Sequence, residues 1–429
     1  MDRIEIHTAK RFKGEFSPPP DKSISHRAVI FSSLSKGKSV IKNFLKAEDP
    51  FSTVNSFRAL GIDIDTTGDD LIVNGNGIHG LKEPHGVIDC GNSGTTIRLL
   101  SGVLSGNPFF SVLTGDASLR TRPMARVIAP LRQMGAEILA RAGDKYPPVA
   151  IKGKKLKPIT YQMPVASAQV KSAILLAGLY ADGETGIEEP AKSRDHTERM
   201  LPAFGAEILI DGLQVRIRGG TELMPAEVYV PGDFSSAAFF LVGALLVKES
   251  DIAITDVCVN PTRTGLLGIL KEMGAELGIS SERVISGEPV ADIHCRGSAE
   301  LKAVTITKKQ IPALIDEFPI LCVAATQATG TTVIRGAEEL RVKESDRIRS
   351  MATELRKMGA EIEEYEDGLS IGGRCSLRGA DIESYGDHRI AMAMTMAGLI
   401  ADGITTIHGI SSVNISFPGF FQIIRRLTL

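Results

Sequence analysis

The sequence predicts an α/β fold of two domains, each built from three repeats whose helices are buried and whose sheets lie around them. Three observations carry this. A phrase in which a helix ends on Gly and runs into a strand occurs five times: FRALGIDI, LRQMGAEIL, LPAFGAEILI, LKEMGAELGI and LRKMGAEIEE. Its glycines stand at 61, 135, 205, 274 and 359, spaced by 74, 70, 69 and 85 residues. A second phrase passes from a small-residue helix through a polar turn into a β-branched strand. It has six copies: FSSLSKGKSVIKNF, LSGVLSGNPFFSVL, LAGLYADGETGIEE, LVGALLVKESDIAITDV, AATQATGTTVIRGA and MAGLIADGITTIHGI. Finally, AILLAGL, AAFFLVGALL and IAMAMTMAGL are apolar on every side, which marks fully buried helices.

Each unit reads as strand, helix, strand, helix, strand over roughly 70 residues. A glycine just past a helix is expected as a left-handed cap, with β-branched residues following. Unrelated α/β crossovers would explain one GAE phrase but not five at near-constant spacing. The closing helix FFQIIRRLTL stands where a sixth copy would end. Six such units exceed one comfortable core, so the chain divides three and three, near AEVYVPGDFSS at 226–236.

Bulk composition narrows the function. The chain has 429 residues, 43% hydrophobic and 23% charged, with a formal net charge of −2. That balance argues against a nucleic-acid or membrane-surface binder, so any anion recognition must be local. Cys90, Cys258, Cys295, Cys322 and Cys375 are scattered and odd in number, which suits reduced thiols in a cytoplasm. The eight histidines show no HExxH-like pairing, and no metal site is expected. MDRIEIHTAK lacks an apolar stretch and does not read as a signal peptide. The apolar run at 237–247 is shorter than the roughly 20 residues of a membrane span and reads as a buried helix.

Polar residues gather, in order along the chain, at the start of the first helix of each unit. The segments are PDKSISHR (20–27), CGNSGTTIR (90–98), VASAQVKS (165–172), PGDFSSAA (231–238), IDEFPI (315–320) and YGDHRIAM (385–392). Helix N-termini leave amide hydrogens unpaired and carry partial positive charge, so convergent starts make an anion-binding surface. The turns LRTRPM, SRDHTER and LRVKESDR add cations. Ser, Asp and Asn at a helix start are usually N-caps, and Asp233, Ser235 and Ser236 read as no more than that. A cap needs no cation, however. Lys22, Arg27, Arg98, Arg122, Lys171, Arg194, Lys343, Arg347 and Arg389 oppose the helix dipole, which implies an anionic ligand to offset them. His26, His196 and His388 read as local hydrogen-bonding groups. Asp316 and Glu317 at a helix start, and Glu344 between Lys343 and Arg347, read either as favourable charges or as acid–base groups beside cations.

Together, DKSISHR, GNSGTTIRLLSG, LTGDASLRTRPM, SAQVKSAILLAGL, SRDHTERML, IDEFPIL, LRVKESDR and GDHRIAMA resemble the EPSP synthase family of enolpyruvyl transferases, in order from about residue 15 to 420. The resemblance implies a two-domain inside-out α/β barrel, each domain three βαβαββ repeats. Residues 19–230 would form one domain, and 1–18 with 231–429 the other, with the active site in the cleft between them. The implied reaction moves enolpyruvyl from phosphoenolpyruvate to the 5-hydroxyl of shikimate 3-phosphate, without metal or other cofactor, in a cytoplasmic enzyme expected to be monomeric.

Residue by residue, the resemblance places Lys22 on both substrates. Ser23, Arg27, Ser167, Ala168, Gln169, Ser193 and Arg194 fall on shikimate 3-phosphate. Gly94, Arg122, Gln169, Arg347 and Arg389 fall on phosphoenolpyruvate. Asp316 matches the base beside the 5-hydroxyl, with Lys343 near it, and Glu344 with Lys22 the proton donor to the methylene carbon. Glu339 and VNISFP (413–418) depart from the family pattern, and no contact is assigned to them. The sister transferase acting on UDP-N-acetylglucosamine usually carries a Cys in its reactive loop. The corresponding LTGDASLRTRP has none. A non-catalytic phosphometabolite binder would have no use for Asp316 and Glu344 together.

Overall fold

The computed structural model describes residues 2–297 and 300–429. The chain divides into two compact units. One is Pro20–Val230 with Ile285–Glu288; the other is Met1–Pro19, Pro231–Val284 and Pro289–Leu429.

The second repeat shows the plan. Strand Ile88–Asp89, helix Gly94–Ser105, strand Phe110–Thr114, helix Ala125–Gln133 and strands Glu137–Ala140 and Tyr146–Lys152 follow one another. Phe110–Thr114 lies parallel to the first strand and antiparallel to Tyr146–Lys152, which pairs antiparallel with Glu137–Ala140. The third repeat uses the same order with Thr160–Gln162, Glu184–Glu188, Gln214–Arg218 and Ile208–Asp211. Among the described residues five of the six sheets therefore have four strands, not the three that periodicity alone suggested; the sheet of Arg3–His7, Ile404–His408 and Asp381–Glu383 has three. The strand overlooked is the return arm of a hairpin, here alternating QVRIR just after the two-residue turn Gly212-Leu213. In the first repeat Glu227–Tyr229 pairs parallel with Lys36–Lys42, so the end of the unit completes the sheet at its beginning. In the other unit Phe12–Phe16 runs parallel to Ser250–Cys258, and Arg3–His7 runs antiparallel to Ile404–His408.

Inside these sheets lie three helices per unit. We label them α1 (Lys22–Leu34), α2 (Gly94–Ser105) and α3 (Ala168–Gly178), then α4 (Phe234–Leu246), α5 (Phe318–Gln327) and α6 (His388–Ile400). Burial is nearly complete: every residue of α4 from Phe234 to Leu245 is buried, and of α6 from His388 to Leu399. Neither helix has a polar stripe because neither has a wet face. Between α2 and α3 the approach is close enough that a Cβ on Gly102 would stand 2.2 Å from the Ala173 carbonyl oxygen. Around α4, Phe240 packs on Phe16, Phe417 and Phe420. Among the described residues no helix is long and apolar enough to cross a membrane. All five cysteines are free thiols.

The glycines of the GAE phrase behave alike. Gly61, Gly135, Gly205, Gly274 and Gly359 have φ of +85°, +106°, +82°, +96° and +95°, the left-handed turn that lets each helix reverse into its strand. The second phrase is less uniform. Gly37, Gly183, Gly330 and Gly403 are also left-handed, but Gly106 has φ −93°, and Glu249 (φ +49°) takes the turn in the fourth copy.

The domain boundaries differ from expectation in two places. Pro19 groups with the second unit, and the hairpin tip Ile285–Glu288 groups with the first. The tip is held there by polar contacts: Ser286 Oγ accepts from the Tyr229 amide at 3.0 Å, and buried Glu288 meets His196 Nδ1 at 2.7 Å. Strand periodicity cannot report such long-range pairing.

Gly135→Ala meets no atom closer than 3.8 Å, so its cost is the backbone conformation alone, about 1–2 kcal/mol. Gly102→Ala carries no such backbone cost inside its helix, but it must push apart two helices and is expected to cost more. Urea midpoints at unchanged m-value test the order of the two.

Candidate functional site

In the first unit the starts of α1, α2 and α3 sit side by side. Asp21 caps α1 by accepting from the Ile24 amide, Ser93 caps α2 by accepting from Thr96, and Ser167 caps α3 by accepting from Val170. Polar contacts tie the three starts together. His26 Nδ1 meets Thr53 Oγ1 at 2.7 Å, which meets Thr96 Oγ1 at 2.7 Å, which donates to the Ser93 cap at 2.8 Å. Burial, reinforced by Lys22 and Arg27, pushes the His26 pKa well down and keeps it neutral. From α2, Arg98 donates to the Gln169 carbonyl at 2.6 Å, and the Gln169 amide donates to Thr95 at 3.0 Å.

The cations of this unit are held in different ways. Arg27 is 3% exposed, and its three contacts are neutral oxygens: Thr197 Oγ1 and Ser172 Oγ at 2.8 Å, and the Ser23 carbonyl at 3.0 Å. Burial pushes its pKa down to about 10, still far above neutrality, so it remains a buried guanidinium with charge to offer. Lys22 lies beside Asp49, Nζ to Oδ2 3.0 Å. Arg122 donates to Asn92 at 2.5 Å and to Ser118 at 3.3 Å. A Cβ on Gly94 would stand 2.7 Å from an Arg98 nitrogen and 3.3 Å from an Arg122 nitrogen, so this glycine keeps the first turn of α2 open beside two guanidiniums. Arg194 is near enough to Arg27 to lower its pKa.

Two expected anion holders are otherwise engaged. Lys171 is fully buried and paired with Glu189 at 2.8 Å and Glu198 at 2.6 Å, so it is not a cation offered to a ligand. Both hydrogen-bond donors of Ser193, its amide and its hydroxyl, go to Glu189. Of the three histidines, His196 is buried against Glu288 in a structural pair.

The second unit gathers the starts of α4, α5 and α6 around charge. Arg347 is 1% exposed. It donates to Asp387 Oδ2 at 2.9 Å, to Glu344 Oε2 at 2.7 Å and to Asp316 Oδ1 at 3.3 Å. Arg389 reaches the same Asp316, with Nη2 to Oδ2 3.2 Å and Nη1 to the backbone carbonyl 3.1 Å. Burial alone would lower the Arg347 pKa, but Asp387, Glu344 and Asp316 outweigh it and raise it. Asp387, the cap of α6, is held below the usual carboxylate range although burial pushes the other way, because Arg347 lies against it. The Lys343 pKa is lowered chiefly by burial, with Arg347 adding to this and Asp316 opposing it. Asp233 caps α4 and also binds Arg263, which is 1% exposed and donates to Asp233 and Ser235, both at 2.8 Å. Ser235 in turn donates to Glu317. PGDFSS is thus more than a set of caps.

Asp387, Asp49 and Arg263 were not singled out from sequence. Asp387 and Asp49 look like ordinary helix-start acids, and Arg263 lies in NPTRTG, away from any inner helix. Their partners are 40, 27 and 30 residues distant in the chain. The excess of helix-start cations was the one available signal, because a buried cation must meet a carboxylate or oriented dipoles somewhere in the fold.

Asp387→Ala leaves Arg347 short of a partner and is expected to destabilise the fold by about 3–5 kcal/mol without any ligand. The folded Asp387 pKa is depressed, so its contribution is present above the unfolded value of about 4 and fades as pH falls through the folded value. Denaturant titrations at several pH values check both points. The gap between wild type and variant should narrow only on the acid side.

Comparison with known proteins agrees with this geometry. The family model of EPSP synthase (3-phosphoshikimate 1-carboxyvinyltransferase) matches residues 6–424. A protein of Thermodesulfovibrio yellowstonii named 3-phosphoshikimate 1-carboxyvinyltransferase is 57% identical over 429 residues, covering all of both chains. One of the same name from Geobacter sp. strain M21 is 53% identical over 424 residues, 99% of each. The solved EPSP synthase of Acinetobacter baumannii superposes with a TM-score of 0.89 at 48% identity, covering 100% of this chain and 98% of that one. The chain belongs to the EPSP synthase family.

Proposed function

We propose that the chain transfers the enolpyruvyl group of phosphoenolpyruvate to the 5-hydroxyl of shikimate 3-phosphate, releasing phosphate. The observation that carries the reading most is the arrangement around Asp316, a carboxylate held by two buried arginines with a second carboxylate, Glu344, on one of them. Such a cluster offers a base, an acid and two anion clamps at once.

The reading assigns contacts to both units. From the first, Lys22, Ser23, Arg27, Ser167, Ala168, Gln169 and Arg194 take shikimate 3-phosphate. Ser193, its donors spent on Glu189, stands behind them. Gly94, Arg122 and Gln169 take phosphoenolpyruvate, with Lys22 on both. From the second unit, Arg347 and Arg389 take phosphoenolpyruvate, and Asp316 and Lys343 flank the 5-hydroxyl.

Chemistry then proceeds in two stages. Glu344 or Lys22 delivers a proton to the methylene carbon, which makes C2 electrophilic. The 5-hydroxyl attacks C2 as Asp316 takes its proton, giving a tetrahedral intermediate. Loss of phosphate and of a methyl proton restores the double bond in the product. A carboxylate gripped by two guanidiniums is a weak base. Phosphoenolpyruvate competes for Arg347 and Arg389, so its arrival loosens that grip and strengthens Asp316 when it is needed.

Asp316→Asn should lower turnover by about 10²–10⁴-fold while leaving shikimate 3-phosphate binding in place. Unchanged turnover would remove Asp316 from the mechanism. The wider reading is tested by phosphate release from phosphoenolpyruvate with shikimate 3-phosphate and, separately, with UDP-N-acetylglucosamine. Release only with the nucleotide sugar would reassign the acceptor, and none with either would leave a binding protein.

A further inference from the structure

Lys171 is the most deeply buried cation among the helix-start residues of the first unit, and it has no role in the reaction just described. Its side chain has no solvent exposure, so it cannot touch a ligand. It lies on α3, one turn beyond Ser167. Its ammonium meets Glu189 Oε2 at 2.8 Å, Glu198 Oε1 at 2.6 Å and the Ser193 carbonyl at 3.4 Å. Both carboxylates are nearly as buried as the lysine.

Each carboxylate leads to a residue of the site. The other oxygen of Glu189 accepts from the Ser193 amide at 3.2 Å and from the Ser193 hydroxyl, which fixes the backbone immediately before Arg194. Glu198 adjoins Thr197, whose hydroxyl accepts from Arg27 Nε at 2.8 Å and shares a 2.7 Å bond with Ser172, the second hydroxyl on Arg27. One buried charge thus ties segment 189–198 to α3 at two points, the one from which Arg194 projects and the one whose hydroxyls receive Arg27 from α1. Among the described residues Glu198 Oε2 has no hydrogen-bond partner, and burial raises the Glu198 pKa. Without the lysine, two buried carboxylates would face each other beside an anion site, and one would have to protonate or move.

We propose that Lys171, paired with Glu189 and Glu198, is a positioning residue that holds Ser193–Arg194 and Arg27 in the geometry that receives the phosphate of shikimate 3-phosphate. This rests on the functional reading above. It assigns the direct phosphate contact of this loop to Arg194, with Ser193 as the anchor that orients it.

The test is Lys171→Met in the full chain, with folding checked by circular dichroism and thermal melting. Losing charged hydrogen bonds of this kind corresponds to roughly 10- to 100-fold. The dissociation constant and KM for shikimate 3-phosphate are expected to rise by about that factor, while kcat and the KM for phosphoenolpyruvate change little. Affinity for shikimate 3-phosphate should also become newly pH-dependent, weakening as pH rises and the facing carboxylates lose their shared proton. If the single variant does not fold, Lys171→Met with Glu198→Gln restores the net charge of the cluster and takes its place, still without the ammonium that ties Glu189 and the Ser193 carbonyl to α3. Unchanged shikimate 3-phosphate affinity in a folded variant would overturn the proposal, as would equal losses for both substrates and kcat. A wild-type chain that binds no shikimate 3-phosphate would overturn the functional reading first and this one with it.

Discussion

A charge taken out of water must meet an opposite charge or a set of oriented dipoles, and in this protein that requirement shapes everything near the helix starts. Arg347 is the clearest case. It is 1% exposed, and Asp316, Glu344 and Asp387 converge on it from the starts of α5 and α6 and from the turn before its own helix. The same contacts fix where those carboxylates point. The cluster therefore does two things with one set of bonds: it makes the burial of Arg347 tolerable, and it aligns the groups that the proposed chemistry uses.

The two units apply a common architecture to different electrostatics. In the first, Arg27 is satisfied by hydroxyls and a carbonyl, so its positive charge is left for an incoming anion. In the second, each arginine of the cluster already leans on a carboxylate. The former suits holding a phosphate, the latter suits moving protons. Repeats with the same plan can diverge in this way because the polar residues that follow each cap differ from one repeat to the next. Side-chain caps are common to both, with Asp21, Ser93 and Ser167 in the first unit and Asp233 and Asp387 in the second.

Much of this was legible in the sequence. The GAE glycines show themselves because a left-handed turn after a helix selects Gly strongly, and all five adopt it. The inner helices show themselves because they have no polar face. The hairpin return strands did not, since a short alternating run after a tight turn resembles the tail of the strand before it. Cations at helix starts were rightly singled out as unusual, but the inference that only an external anion could offset them was incomplete. Lys22, Lys171, Arg347 and Arg389 all have internal carboxylates.

The amino-acid sequence by itself determined the repeat, the alternation of its strands and helices up to the closing hairpin, the caps and the residue types available at each helix start. These depend on neighbours within a few positions, where backbone preference and periodicity act. Tertiary structure alone decided which of the gathered charges are spent inside the protein and which remain for a ligand. Lys171 and Arg27 look equivalent in the chain. Yet one is neutralised by Glu189, 18 residues away, and the other rests on hydroxyls up to 170 residues away. Local sequence rules cannot rank such pairings, because the energy of a buried charge depends on what the folded chain brings within a few ångströms of it.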